Sequence, residues 1–179
     1  MAAASARRRL PEPRSTFGIV LVWFFLSGAT ALVYEVVWLR MLSLVFGHTV
    51  YAITTVLAAF MAGLGLGSFL FGRRAARFPD PIRAYGLLEI GIGISCALTP
   101  VLVWLASSVY LGLYRVLNAS YATFGFVQFL LVFALLLLPT TLMGGTLPIL
   151  SQALVKREDG IGRTVGALYA MNTFGAVAG

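Results

Sequence analysis

Long apolar stretches broken by short polar ones dominate this chain, and each long stretch exceeds what a soluble helix or strand needs to bury one face. At 1.5 Å per residue, about 20 apolar residues cross the hydrocarbon core of a bilayer. Runs at 17–46, 49–72, 84–107 and 124–155 meet that length, and a fifth apolar segment begins near Thr164. The pattern predicts an all-α, polytopic transmembrane helix bundle in contact with lipid. The first and fourth runs are longer than a crossing requires, which predicts tilt or a break. Pro139 and Pro148, with Gly144 and Gly145 between them, predict the break in the fourth. The last segment is still apolar at Gly179, and the expectation is a fragment truncated in its fifth helix.

Residues 1–16, with Arg7, Arg8, Arg9 and Arg14 among Ala, Ser and Pro, read as a disordered basic tail. A cleaved signal peptide is the alternative, but its apolar core spans only about 7–15 residues, far fewer than the run that starts at Phe17. Eleven Lys and Arg residues fall in the tail, the 73–83 loop and the 156–163 loop, whereas the loops on the other side hold Arg115 alone. That bias places the N-terminus in the cytoplasm. Tyr51, Trp104, Tyr110, Tyr114 and Tyr121 then gather near the outer surface as an aromatic belt. The 108–125 connection there reads as a short helix lying on the membrane, and Asn118-Ala-Ser120 as a sequon matched by chance.

Composition narrows the function classes. The chain is 60% hydrophobic and 11% charged, and its net charge of +7 is explained by loops at an anionic leaflet rather than by a nucleic-acid groove. One cysteine, Cys96, and one histidine, His48, leave no disulfide framework and no histidine-rich metal site. Gly63-Leu-Gly65-Leu-Gly67 resembles a nucleotide-binding turn, and Leu88-Glu-Ile-Gly-Ile-Gly93 the first motif of an S-adenosylmethionine-binding fold. Both lack the preceding strand and the solvated helix start that such turns need, so close helix packing is the expected role. Ala59, Gly63 and Gly67 form one small-residue stripe, and Ser68 with Gly72 a second.

Ionisable residues inside the spans are the candidates for function, because a charge near the bilayer centre costs at least about 2.5–3.5 kcal/mol. Glu35 lies roughly 27 Å along the first helix and Arg40 roughly 34 Å. One reading is an ion pair between them or snorkelling; the other is that Glu35, with Tyr34 and Trp38 four apart beside it, meets an amine by charge and cation–π attraction. Glu89 is expected to pair with Arg73, Arg74, Arg77 or Arg83 as a structural clamp, and is a second candidate for an amine. Asn172, Thr140 and Thr141 can satisfy freed backbone groups across helices. No nucleophile is paired with a base, so no catalytic site is expected in these residues.

Five blocks, taken together and in order, carry a family resemblance. They are Phe25-Leu-Ser-Gly-Ala-Thr-Ala-Leu-Val-Tyr-Glu-Val-Val-Trp-Leu-Arg40, Phe46-Gly-His-Thr-Val-Tyr51, Ala58-Ala-Phe-Met-Ala-Gly-Leu-Gly-Leu-Gly-Ser68, Leu138-Pro-Thr-Thr-Leu-Met-Gly-Gly-Thr-Leu-Pro148 and Gly166-Ala-Leu-Tyr-Ala-Met-Asn-Thr-Phe-Gly175. They resemble the fused spermidine synthases, in which a major-facilitator-like membrane region precedes a soluble aminopropyltransferase-like domain. The resemblance implies further helices and a C-terminal domain as partners of this region. It also implies decarboxylated S-adenosylmethionine as the donor bound in that domain, and polyamines as the ligand class. Gly72-Arg-Arg-Ala-Ala-Arg77 is similar to the loop signature of major-facilitator transporters, with Ala76 where that signature has Asp. The alternatives are a polyamine or small-amine transporter, which needs more helices than these, and a membrane anchor without transport.

Overall fold

The computed structural model describes the backbone of residues 13–46, 49–117, 121–155 and 160–179, with side chains in 17–44, 50–108, 123, 125–154 and 160–179. Five α-helices account for nearly all of it: α1 (Pro13–Phe46), α2 (Thr49–Gly72), α3 (Pro81–Leu117), α4 (Tyr121–Val155) and α5 (Ile161–Ala178), with a 3-10 turn at Ala75–Arg77 between α2 and α3. No strand occurs among the described residues. Helices satisfy every interior backbone group within one segment, which is what a medium without water demands. Four helices are long and apolar enough to cross a membrane, over Phe17–Leu44, Val50–Gly72, Pro81–Ser108 and Gly125–Leu154. Their outward faces carry bare apolar side chains, Trp104 at 69% exposure and Leu44 at 84% among them. Residues 1–12 of the basic tail, His48, the Asn118 sequon and Lys156 lie outside the described residues, as do the side chains of Arg14, Tyr110, Tyr114, Arg115 and Tyr121. Residues 13–16, expected to be disordered, instead form the first turn of α1.

The sequence expectation changes in two further places. The 108–125 connection is no separate surface helix: α3 continues unbroken to Leu117 and α4 begins at Tyr121. At 37 residues α3 is ~55 Å long, nearly twice the hydrocarbon thickness of about 30 Å. The predicted break in the fourth span is absent as well, since α4 stays helical through both Pro139 and Pro148. Proline has no N–H, so Pro148 leaves the carbonyl of Gly144 without its intrahelical donor. The Ser68 hydroxyl of α2 donates to that oxygen at 3.0 Å. At Pro148 a neighbouring helix therefore supplies what the proline removed.

The tightest packing is between α2 and α4. The stripe Ala59, Gly63, Gly67 faces α4 and is buried. A Cβ on Gly63 would collide with the Thr140 side chain, one on Gly67 with the backbone at Thr141 and Gly144, and one on Gly144 with the backbone of Leu64. The Thr140 hydroxyl lies 2.7 Å from Leu136 O on its own helix and 3.2 Å from Ala59 O on α2. A second pair joins α1 to α5, where Gly28 and Gly175 let the backbones touch and Asn172 Nδ2 donates to Phe24 O at 3.2 Å. Helix α3 packs on the other side of α4. Its start is fixed by Asp80, whose Oδ1 accepts the Arg83 N–H at 3.1 Å, and by Pro81 as first helical residue. Two apolar clusters fill the interior, one around Trp38, Phe60 and Leu136 and one around Phe24, Leu150 and Leu168.

Replacing Gly63 by Leu should destabilise the bundle by at least about 1–3 kcal/mol, the usual penalty for overpacking. The same change at Gly65, whose Cβ direction is open, should stay within about 0.5 kcal/mol. Unfolding titrations in detergent micelles compare the two, and equal losses would disprove the assignment of the packed face.

Candidate functional site: an acid between α1 and α3

The position of Glu89 follows from helical spacing. Tyr85 and Glu89 are four apart on α3, so both side chains lie on the face turned to α1. Ser27 comes from α1, and its hydroxyl donates to Glu89 Oε1 at 2.7 Å. The Tyr85 side chain stands beside the same carboxylate, one turn before it on α3. Its ring is buried and set edge-on to Phe24, with centroids 6.3 Å apart and planes at 74°. Glu89 is eight residues beyond Pro81, about 12 Å along α3, inside the span rather than at its mouth.

Pairing with a basic loop residue was the expectation for Glu89, and the structure does not bring one to it. Among the described residues the one salt bridge is Arg83 to Asp80, at 3.5 Å. Arg73 instead sets its guanidinium 4.1 Å over the Phe69 ring, and Arg74 and Arg77 are exposed. The loop lies at the helix ends, whereas Glu89 points sideways into the α1 contact. A hydroxyl, not a cation, serves the carboxylate. The Ser27 hydroxyl stabilises its charge but does not neutralise it, so the group can accept the N–H donors of a cationic ligand.

Glu35 falls on the inward stripe of α1 with Gly28, Trp38 and Leu42, and is half-buried. Arg40 does not reach it. Five residues turn a helix by about 500°, which leaves the two side chains about 140° apart around the axis, and Arg40 is exposed. Nor do the aromatic residues form an open cage. Tyr34 stacks on Trp38 with centroids 6.0 Å apart, and Trp38, 2% exposed, packs on its far neighbour Phe60 at 6.4 Å. Trp38 is thus a core residue, and its faces are spent on other rings.

A cavity of about 310 Å³ lies between α3 and α4, lined by Ile94, Leu98, Leu102, Leu135 and Leu138 with Ser95 and Thr99. Both hydroxyls donate to their own helix, at 2.7 and 2.8 Å, and so add no free polar group to it. No group of three or more metal-ligating side chains occurs among the described residues. Sequence reasoning missed Ser27 and Tyr85; a tyrosine one turn before an intramembrane acid was the available signal for the second.

A double-mutant cycle of Ser27→Ala and Glu89→Gln should give a coupling of about 1 kcal/mol, within the range known for interhelical hydrogen bonds in membranes. Additive losses in the same unfolding titration would show that the bond contributes nothing. Compared with models of protein families, with curated proteins and with solved structures, the chain matches none.

Proposed function

We propose that this chain is the N-terminal membrane region of a protein similar to the fused spermidine synthases, in which Glu89, with Ser27 and Tyr85, receives a cationic amine between α1 and α3. The reading takes the region to lie in a bacterial-type inner membrane with its N-terminus cytoplasmic. It takes aminopropyl transfer from decarboxylated S-adenosylmethionine to occur in a soluble domain outside these residues. The observation that carries it is the 2.7 Å bond from Ser27 to a Glu89 carboxylate that has no basic partner among the described residues. A primary ammonium supplies three donors and the missing positive charge, and the two hydroxyls beside the carboxylate can turn their lone pairs to it. The five sequence blocks support the family, and one of them contains Ser27. Glu35 stands on the inward face of the same helix as a second acid.

The full-length protein in membranes should transfer the aminopropyl group to putrescine, and Glu89→Gln should raise KM for putrescine about tenfold, equivalent to about 1.4 kcal/mol. Glu35→Gln should change it less. Labelled-polyamine uptake into proteoliposomes without transfer would identify a transporter instead. An unaltered KM in Glu89→Gln would remove the acid from substrate binding.

A further inference from the structure

The connection from α2 to α3 is short, basic and pinned to the bundle. Residues 73–83 hold four arginines against Asp80 alone, and Asp80 is engaged by Arg83. Within the 3-10 turn, the Arg77 N–H donates to Arg74 O at 2.9 Å and the Phe78 N–H to Ala75 O at 3.3 Å. Side chains three apart in such a turn eclipse one another. Positions 74 and 77 therefore share one side and positions 75 and 78 the other. Burial follows that division: Ala75 is 7% exposed and Phe78 packs on the apolar cluster around Tyr85 and Leu88, whereas Arg74 and Arg77 are exposed.

Arg73 completes the group. Its backbone N–H continues α2 by donating to Phe69 O at 3.2 Å, and its guanidinium rests on the Phe69 ring, itself 53% exposed. Phe69 belongs to the last turn of one span and Pro81 opens the next, so the three guanidinium groups stand at a bilayer surface whichever way the bundle faces. None of them has an acidic partner among the described residues.

We propose that Arg73, Arg74 and Arg77 form a binding site for the phosphate of an anionic phospholipid, with Phe69 against the adjoining acyl chain. Guanidinium groups bind phosphate oxygens through paired N–H donors. The eclipsed Arg74 and Arg77 offer two such forks from one side of the turn, and Arg73 a third cation at the edge of the hydrocarbon. Each basic residue near an anionic membrane surface contributes roughly fivefold to binding, so the three together contribute about a hundredfold. A lipid, rather than a soluble phosphate, is the occupant because the exposed ring beneath Arg73 faces acyl chains.

The test titrates the detergent-purified chain with fluorescent phosphatidylglycerol and with fluorescent phosphatidylcholine. Wild type should prefer phosphatidylglycerol, and raised salt should weaken the preference. Arg74→Gln with Arg77→Gln should lower phosphatidylglycerol affinity about 25-fold, and Arg73→Gln about fivefold. Equal binding of the two lipids, or full phosphatidylglycerol affinity in the triple variant, would overturn the site. Displacement of the lipid by millimolar inorganic phosphate would make it a soluble-anion site instead.

Discussion

Between helices immersed in lipid, apolar side chains gain little by facing one another instead of an acyl chain, so association must come from close fit and shared hydrogen bonds. The α2–α4 seam meets that condition with backbone rather than side chains. Gly63, Gly67 and Gly144 remove the atoms that would hold the helices apart, and Thr140 and Ser68 then reach carbonyls on the facing helix. The other elements are placed relative to this seam, with α3 on the far side of α4 and the α1–α5 pair beside α2 and α4.

Hydroxyls in this bundle either return to their own helix or reach a backbone carbonyl on a neighbour, and the one that serves Glu89 does neither. Thr30, Thr54, Thr55, Ser95, Thr99 and Thr173 each return the hydroxyl to a carbonyl of the preceding turn. Ser27 spends its hydroxyl on another helix, and on a carboxylate. The bond lies where two groups of helices meet, α1 with α5 and α2 with α3 and α4, and where direct packing between α1 and α3 is sparse. A ligand that competes for the carboxylate therefore acts on the weaker of the interhelical contacts.

Much of the fold was legible from run length alone. The second span coincides with α2, from Thr49 to Gly72, and the Ala59–Gly63–Gly67 stripe faces its partner as its spacing implies. What escaped had a physical reason in each case. The 108–117 stretch reads as a helix but not as a continuation of α3, because with Ser108 and Arg115 it is less apolar than the span before it. The hydroxyl that serves the carbonyl freed by Pro148 in α4 lies 76 residues away from it in sequence. The partners of Glu89 were hidden for a similar reason, since Ser27 is 62 residues distant and an isolated serine in an apolar run carries no pattern. Loop arginines were the obvious counter-charges by proximity in sequence. The direction in which Glu89 projects from α3 decided otherwise.

The exchange between Pro148 and Ser68 also constrains how this sequence can change over time. With proline at 148, losing the Ser68 hydroxyl strands the Gly144 carbonyl in a medium that offers no other donor. If position 148 first regains an N–H, the helix serves its own carbonyl and the serine becomes expendable. The two substitutions are thus ordered: a lineage can shed the proline and then the serine at little cost, whereas the opposite order passes through a damaged intermediate.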